Sequence, residues 1–356
     1  MTQKKRLSGG FMNSLMIYIL FAIGLVLIVK GGDWFVDGAS WIAEVTGIPK
    51  FIIGATIVSI ATTLPEIIVS TIAAFEGHAI LVSGAANAVE QSLGKVSMAI
   101  GNGIGSVICN TALIMALSLV FMPISVNRKD FAPKGILLLV SIAALFIFSL
   151  GGSVSITGAA VLLVIFVLFM LENVRSAKSQ PDEEDNDKPQ VTKKEMLMHI
   201  GMIAVGAVCI VIGSNLLVNN GTEIARMLGV SEAIIAVTMV ALGTSLPELV
   251  TAITSIVKKQ ASMSVGNVVG ANIIDVTLII AICSFVYSGS LPVSTINIYL
   301  DFPVAFIAAA IAVVPPILTG KFHRYQGIAL ICLYIAYLAI VIAGTPWYLS
   351  LFGIAV

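Results

Sequence analysis

Apolar runs of about 20 residues, each long enough to cross a bilayer, recur along the whole of this chain and are interrupted once, at Arg175–Lys194. The chain is 58% hydrophobic and 11% charged, where a soluble domain carries about 25% charged residues. Folded in water, it would have no polar surface to present. In lipid every backbone N–H and C=O must be bonded within the protein, which leaves helices for spans of this length. The sequence therefore reads as an all-α integral membrane protein of about ten transmembrane helices, at 11–44, 50–75, 96–121, 131–150, 155–174, 196–227, 231–257, 263–286, 296–317 and 324–344. The opening MTQKKRLSGG and the run after it outlast the roughly 7–15-residue core of a signal peptide and lack an A-x-A site, so they read as the first span.

The polar interruption contains PDEEDNDKP and reads as a linker, since its composition cannot bury a core. It separates a first half, 1–174, from a second, 196–356, with the linker at 175–195. The halves repeat. A shift of about 182 positions lays Gly31 on Gly213, Gly47 on Gly229, Thr56 on Thr238 and Leu64-Pro65-Glu66 on Leu246-Pro247-Glu248. Further on, GNGIGSVICN at 101–110 matches GNVVGANIID at 266–275 with a smaller shift, so the first half carries an insertion of roughly 17 residues around Glu76–Ser97. A repeat with an odd number of spans inserts in opposite orientations, giving two inverted five-helix repeats whose broken helices meet near the midplane. Lysine and arginine are denser on the side that holds Lys50, Arg128, Lys129, Lys134, the linker, Lys258, Lys259, Lys321 and Arg324. The positive-inside rule makes that side cytoplasmic and puts the N-terminus outside, with Lys4, Lys5 and Arg6 arguing the other way.

Each half places a glutamate directly after a proline inside an apolar segment: TIVSIATTLPE at 56–66 and TMVALGTSLPE at 238–248. A carboxylate at that depth costs about 2.5–3.5 kcal/mol on insertion scales, so it marks a functional site by default. Proline supplies no N–H, so Pro65 frees the Ala61 carbonyl and Pro247 that of Gly243. A carbonyl freed in lipid needs another partner, and a cation is one. Thr62 and Thr244 stand one turn before Glu66 and Glu248, and Thr63 and Ser245 add hydroxyls. A proline kink accounts for one copy; two copies in register, each ending in a buried glutamate, point to a cation site.

In the second motif pair, Ser106 and Asn110 share a helix face, as do Ala271 and Asp275. Asn110 alone also fits an interhelical hydrogen bond, and Asn102 and Asn267 fit capping of backbone groups. Glu66, Glu248 and Asp275 bring up to three negative charges to spans with no lysine or arginine at comparable depth. Cations or protons must compensate them. The available ligands are hard oxygens, which select calcium, sodium or protons over zinc or copper. The three histidines do not cluster into a zinc site, and the four cysteines show no CxxC spacing and read as core residues. With a net charge of zero the chain gives no nucleic-acid footprint. Asp33, Asp37 and Glu44, towards the end of the first span, read as facing water.

ATTLPE with GNGIGSVICN, and GTSLPE with GNVVGANIID, resemble the paired repeats of the sodium/calcium exchanger family within the cation/calcium antiporter superfamily. The resemblance extends to GGDWFVDGASWIAEVTGIPKFIIGAT and covers the chain; it is nearest the compact prokaryotic exchangers. It implies sodium-driven expulsion of calcium by alternating access, a transporter and not an enzyme, with the first and sixth spans sliding over a fixed core. Ca2+ and Na+ are then the substrates, with no organic cofactor and no obligate protein partner. It also implies a calcium site at Glu66 and Glu248 lined by Asn110 and Asp275. Hydroxyls or carbonyls would come from Thr62, Thr63, Thr244, Ser245 and Ser106, and backbone carbonyls from Ser59 and Ala241.

The chain departs from the family pattern in three places: Ala61 for a glycine, Ala271 for a serine, and the insertion at Glu76–Ser97, read as a cap, a re-entrant piece or a longer loop. Loss of the serine bears on sodium stoichiometry more than on calcium. Proton/calcium antiporters of the superfamily carry GNxxE where this chain has TTLPE and TSLPE; potassium co-transport is left open by Asp275. An intramembrane aspartyl protease needs YD and GxGD motifs, which the chain lacks. A cation channel would share the oxygen-rich site but not coupling to a second ion.

Overall fold

The structure, a computed structural model, describes residues 2–84, 87–178, 192–229, 243–287 and 290–351. Among them nine helices are long and apolar enough to cross a membrane. These are α1 (Leu15–Thr46, continuous with a helical start at Thr2), α3 (Leu64–Val82), α4 (Ala88–Phe121), α5 (Arg128–Ser149), α6 (Ile156–Lys178), α7 (Lys193–Met227), α9 (Ala261–Val286), α10 (Asn297–Thr319) and α11 (Arg324–Ala343). Two shorter apolar helices, α2 (Lys50–Thr62) and α8 (Leu246–Val257), precede α3 and α9. The expected single span at 50–75 is thus two helices, broken at Thr63. Of the expected span at 231–257, residues 231–242 lie outside the described residues and Leu246–Val257 is α8.

α4 and α9, the most buried spans, form the centre, and α1 and α7 lie against it from outside. α1 and α7 run antiparallel, as the first helices of two inverted repeats must. Their contact is built on glycines seven residues apart. A Cβ at Gly31 would lie 2.9 Å from the Gly206 carbonyl oxygen, and one at Gly213 would lie 2.8 Å from that of Gly24. Small residues at such a seam let two backbones touch, which is how helices associate without a hydrophobic drive between them. α2 crosses α9 equally closely: a Cβ at Gly266 would strike the Phe51 carbonyl oxygen, and one at Gly270 would lie 2.7 Å from that of Ala55.

Most of the insertion is helical and not a loop. It lengthens α3 and α4 into a helical hairpin. Gly77 packs on Val96, Lys95 bridges Glu76 at 2.6 Å, and Gly84 and Asn87 turn the chain with positive φ. Two three-residue strands, β1 (Ser153–Ser155) and β2 (Ser290–Pro292), pair antiparallel and tie the entry of α6 to the loop after α9. Cys109 and Cys283 are core residues as expected, but Cys209 is half-buried and Cys332 is exposed on α11. Asp33 and Asp37 do not simply face water either. They bind Lys258, at the end of α8, at 3.4 and 2.7 Å, and Glu44 binds Lys50 at 3.1 Å. Partial burial works against the charge on Lys258, but the hydrogen bond and charge of Asp37, with Asp33, outweigh it and raise its pKa.

Candidate cation site

The two Pro-Glu motifs break the chain in the same way. Thr63 (φ −82°, ψ −3°) and Ser245 (φ −85°, ψ 7°) stand at the breaks, and Pro65 and Pro247 open the new helices α3 and α8. Proline suits the first turn of a helix, where its missing N–H would have no partner anyway. The motif is therefore a helix restart more than a kink. It places Glu66 and Glu248 in the first turns of α3 and α8, where the positive end of the helix dipole favours a carboxylate. The second motifs do not break the chain. Asn110 and Asp275 each begin a π-helical segment, Asn110–Met115 and Asp275–Ile279, inside an unbroken helix. Such wide turns recur at functional sites because they re-aim side chains.

Glu66, Glu248, Asn110 and Asp275 are all buried, and the three acids lie within electrostatic range of one another. Among the described residues no salt bridge reaches any of them. Both carboxylate oxygens of Glu66, both of Asp275, Glu248 Oε2 and Asn110 Oδ1 have no hydrogen-bond partner there. A buried charge without a partner is costly enough that proteins pair it, protonate it or place it on a metal. Six such acceptors in one region fit a cation or protons. No group of three His, Cys, Asp or Glu side chains among the described residues is arranged to hold a metal, so neutral oxygens would have to complete any coordination shell.

Those oxygens are present. The Thr63 hydroxyl donates to Glu248 Oε1 at 3.3 Å, and Ser245 Oγ reaches Ser106 Oγ at 3.4 Å. Thr62 donates to Asn267 Oδ1 at 3.2 Å and Thr244 to Asn102 Oδ1 at 3.1 Å. All four contacts join one repeat to the other. Ser59 is placed differently. Its hydroxyl turns back to the Thr56 carbonyl at 3.1 Å, and its own carbonyl already accepts from Thr63 N at 3.0 Å and Thr62 Oγ1 at 3.4 Å. Ala241 lies outside the described residues.

Asn102 and Asn267 do not cap backbone groups. Each accepts from the motif threonine of the other repeat and donates to a hydroxyl of its own, Ser70 at 2.9 Å and Thr251 at 3.0 Å. They hold the two motifs together, and the sequence reading underrated them. The signal was available, since they occupy matching positions in GNGIG and GNVVG. Asn272, which donates to Thr111 at 2.6 Å, adds another cross-repeat bond that nothing in the spacing announced.

A cavity of about 190 Å³ lies between α7 and the motifs, lined by Pro65, Pro247, Thr244, Ser214 and Asn215 among others. It gives an approach to Thr244, which is half-buried, whereas Thr62 is sealed in. Paired restarted helices, buried acids from both repeats and an approach along one outer helix build a candidate cation site shared by two repeats inside a membrane protein. Residues 16–174 and 198–343 match the sodium/calcium exchanger protein family, and the chain belongs to that family. An uncharacterized membrane protein of Methanocaldococcus jannaschii, MJ0091, is 33% identical over 90% of this chain and 96% of its own length. The sodium/calcium exchanger MaX1 of Methanosarcina acetivorans is 27% identical over 91% and 97%. Among solved structures the sodium-calcium exchanger NCX_Mj, soaked with Na+ and no Ca2+, superposes with a TM-score of 0.76 at 29% identity, covering 92% of this chain and 99% of that one.

Proposed function

We propose that the chain exchanges Na+ for Ca2+ across the cell membrane by alternating access and expels Ca2+. The N-terminus would lie outside and the 175–195 linker in the cytoplasm, as the placement of lysine and arginine favours. The observation that carries the reading is the set of buried carboxylate oxygens from both repeats without a donor, surrounded by hydroxyl and amide oxygens. Hard oxygens at one centre suit Ca2+ and Na+, and the same negative charges balance one divalent ion or several monovalent ones. NCX_Mj, whose structures include soaks with Na+, Ca2+ and Sr2+, supports the choice of ions.

In this reading Glu66 and Glu248 bind Ca2+ and share Na+ with Asp275 and Asn110. Thr62, Thr63, Thr244, Ser245 and Ser106 complete the shells, and no organic cofactor takes part. α1 and α7, joined along their glycine seam, slide as one unit over the motif core and open one side at a time. The test is Ca2+ uptake into proteoliposomes preloaded with Na+, with separate pH-gradient and K+ arms. Uptake driven by the Na+ gradient is expected. Uptake driven only by the pH gradient would make the protein a proton/calcium antiporter, and a requirement for K+ a potassium-dependent exchanger. Uptake indifferent to every gradient would make it a channel.

A further inference from the structure

A cleft of about 770 Å³ has none of the acids in its lining. It lies where the start of α5 meets the end of α10, and Arg128, Lys129 and Lys321 line it together with Asn127, Thr319 and Gly320. Its floor is built. The chain before α5 and the turn after α10 are joined by backbone hydrogen bonds, Val126 N to Gly320 O at 2.9 Å and Phe322 N to Ile124 O at 2.8 Å. Gly320 has φ +73°, and a Cβ there would press on Arg128 Cγ at 3.2 Å, so the arginine stem lies flat on the glycine. Arg128 Nε donates to the Ile317 carbonyl at 2.9 Å, which fixes the guanidinium at the rim.

The two lysines are different. Both are exposed, and among the described residues neither ammonium has a carboxylate partner. Asp130, next along α5, does not line the cavity. Asn127 caps α5 by accepting from Lys129 N at 3.1 Å, so the positive end of that helix dipole also faces the cleft. Three cations, two of them unpaired, around a preformed hollow at a helix start select a phosphate-bearing anion. Further along the same two helices the surface is apolar: Ile136 and Val140 on α5, and Val314 and Leu318 on α10, are exposed. A free phosphate has no use for such a surface, whereas a phospholipid does.

We propose that this cleft binds a phosphate group, with the headgroup of an anionic phospholipid as its source. Bound there, the lipid would bridge the loop before α5 to the loop after α10, and so brace the two halves of the chain on one membrane face. The site is separate from the cation centre and stands or falls without the transport reading.

The test uses the full chain purified in detergent. Thermal unfolding is followed with added phosphatidylglycerol, phosphatidylcholine or inorganic phosphate, and bound lipid is counted by native mass spectrometry. The comparison is Lys129→Gln/Lys321→Gln, whose two side chains are exposed and outside the cation centre. Arg128 is kept because it also ties α5 to α10. Phosphatidylglycerol should stabilise and be retained by the wild type, with roughly tenfold to thirtyfold weaker apparent affinity in the double variant. Phosphatidylcholine and inorganic phosphate should do neither. Stabilisation by inorganic phosphate alone would overturn the lipid source while keeping the phosphate site. Equal retention of phosphatidylglycerol by wild type and variant, or none by the wild type, would overturn the site itself.

Discussion

In the first half of the centre, neither oxygen of Glu66 has a donor among the described residues; in the second, Glu248 receives the Thr63 hydroxyl. Ser106 takes the Ser245 hydroxyl, but the matching position in the second half is Ala271, fully buried and without an oxygen. Asn110 is an amide where Asp275 is an acid, and Thr62 is sealed where Thr244 borders a cavity. The two halves share a backbone plan to within about 10° at the breaks, yet their side chains divide the work. The first half supplies a free carboxylate and a hydroxyl pair. The second supplies the extra charge and the approach. A symmetric scaffold fixes where ligands stand, while single substitutions decide how much charge each side holds.

The largest effect should follow removal of either motif glutamate. Glu66→Gln and Glu248→Gln should each lower Ca2+ uptake by roughly 100-fold or more, equivalent to about 2.7 kcal/mol. They should differ in stability without ions. At a pH that ionises both acids, removing an unpaired buried charge relieves its desolvation cost, so Glu66→Gln should raise the melting temperature of the ion-free protein more than Glu248→Gln, whose carboxylate already has the Thr63 hydroxyl as a donor. Equal shifts in a scanning calorimeter would erase the distinction between the halves.

Asp275→Asn makes the second half match the first. It removes one charge from the centre and should weaken Na+ activation of Ca2+ uptake by roughly tenfold, about 1.4 kcal/mol, while Ca2+ binding persists. An unchanged Na+ dependence would show that Asp275 is a spectator.

A smaller effect is expected at the cross-braces. Asn267→Ala takes one partner each from the Thr62 and Thr251 hydroxyls, which keep the Ser59 and Glu248 carbonyls, and Asn102→Ala takes one each from Thr244 and Ser70, of which Ser70 keeps the Ala99 carbonyl. A lost hydrogen bond costs about 0.5–1.5 kcal/mol. The loss should be greater at Asn267, because Thr62 and Thr251 are buried and Thr244 can turn to the cavity. Denaturant or thermal unfolding of the two variants side by side checks the order.

The least disruptive change is Ala271→Ser, which restores the missing hydroxyl opposite Thr63. It should raise apparent Na+ affinity by a few-fold, less than about 1 kcal/mol, and leave Ca2+ affinity nearly unchanged. A Na+ titration of uptake that does not move would show that the serine is dispensable here.

The acids and the breaks were legible in the sequence because Pro-Glu inside an apolar run has few physical excuses, and a second copy in register removes most of those. The inverted plan was legible from the count of spans on either side of the linker. The pairing of Thr62 with Asn267 was not, because those residues are 205 positions apart and no local periodicity reports such a contact. The hairpin of α3 and α4 was not legible from the length of the insertion alone; its close packing at Gly77 and its turn at Gly84 and Asn87 show only once the two helices are seen side by side. The glycine seam of α1 and α7 was written at seven-residue spacing in both helices, but a spacing names a partner only once the two helices are known to touch.

The central claim is that both repeats build one centre for which Ca2+ and Na+ compete. Equilibrium binding of radioactive Ca2+ to the purified protein, titrated with Na+ at constant ionic strength, tests it most directly. Na+ should raise the apparent Kd for Ca2+ without lowering the number of sites, with a Hill coefficient above one. A loss of sites at constant Kd, or no response to Na+, would mean that the two ions do not share these carboxylates.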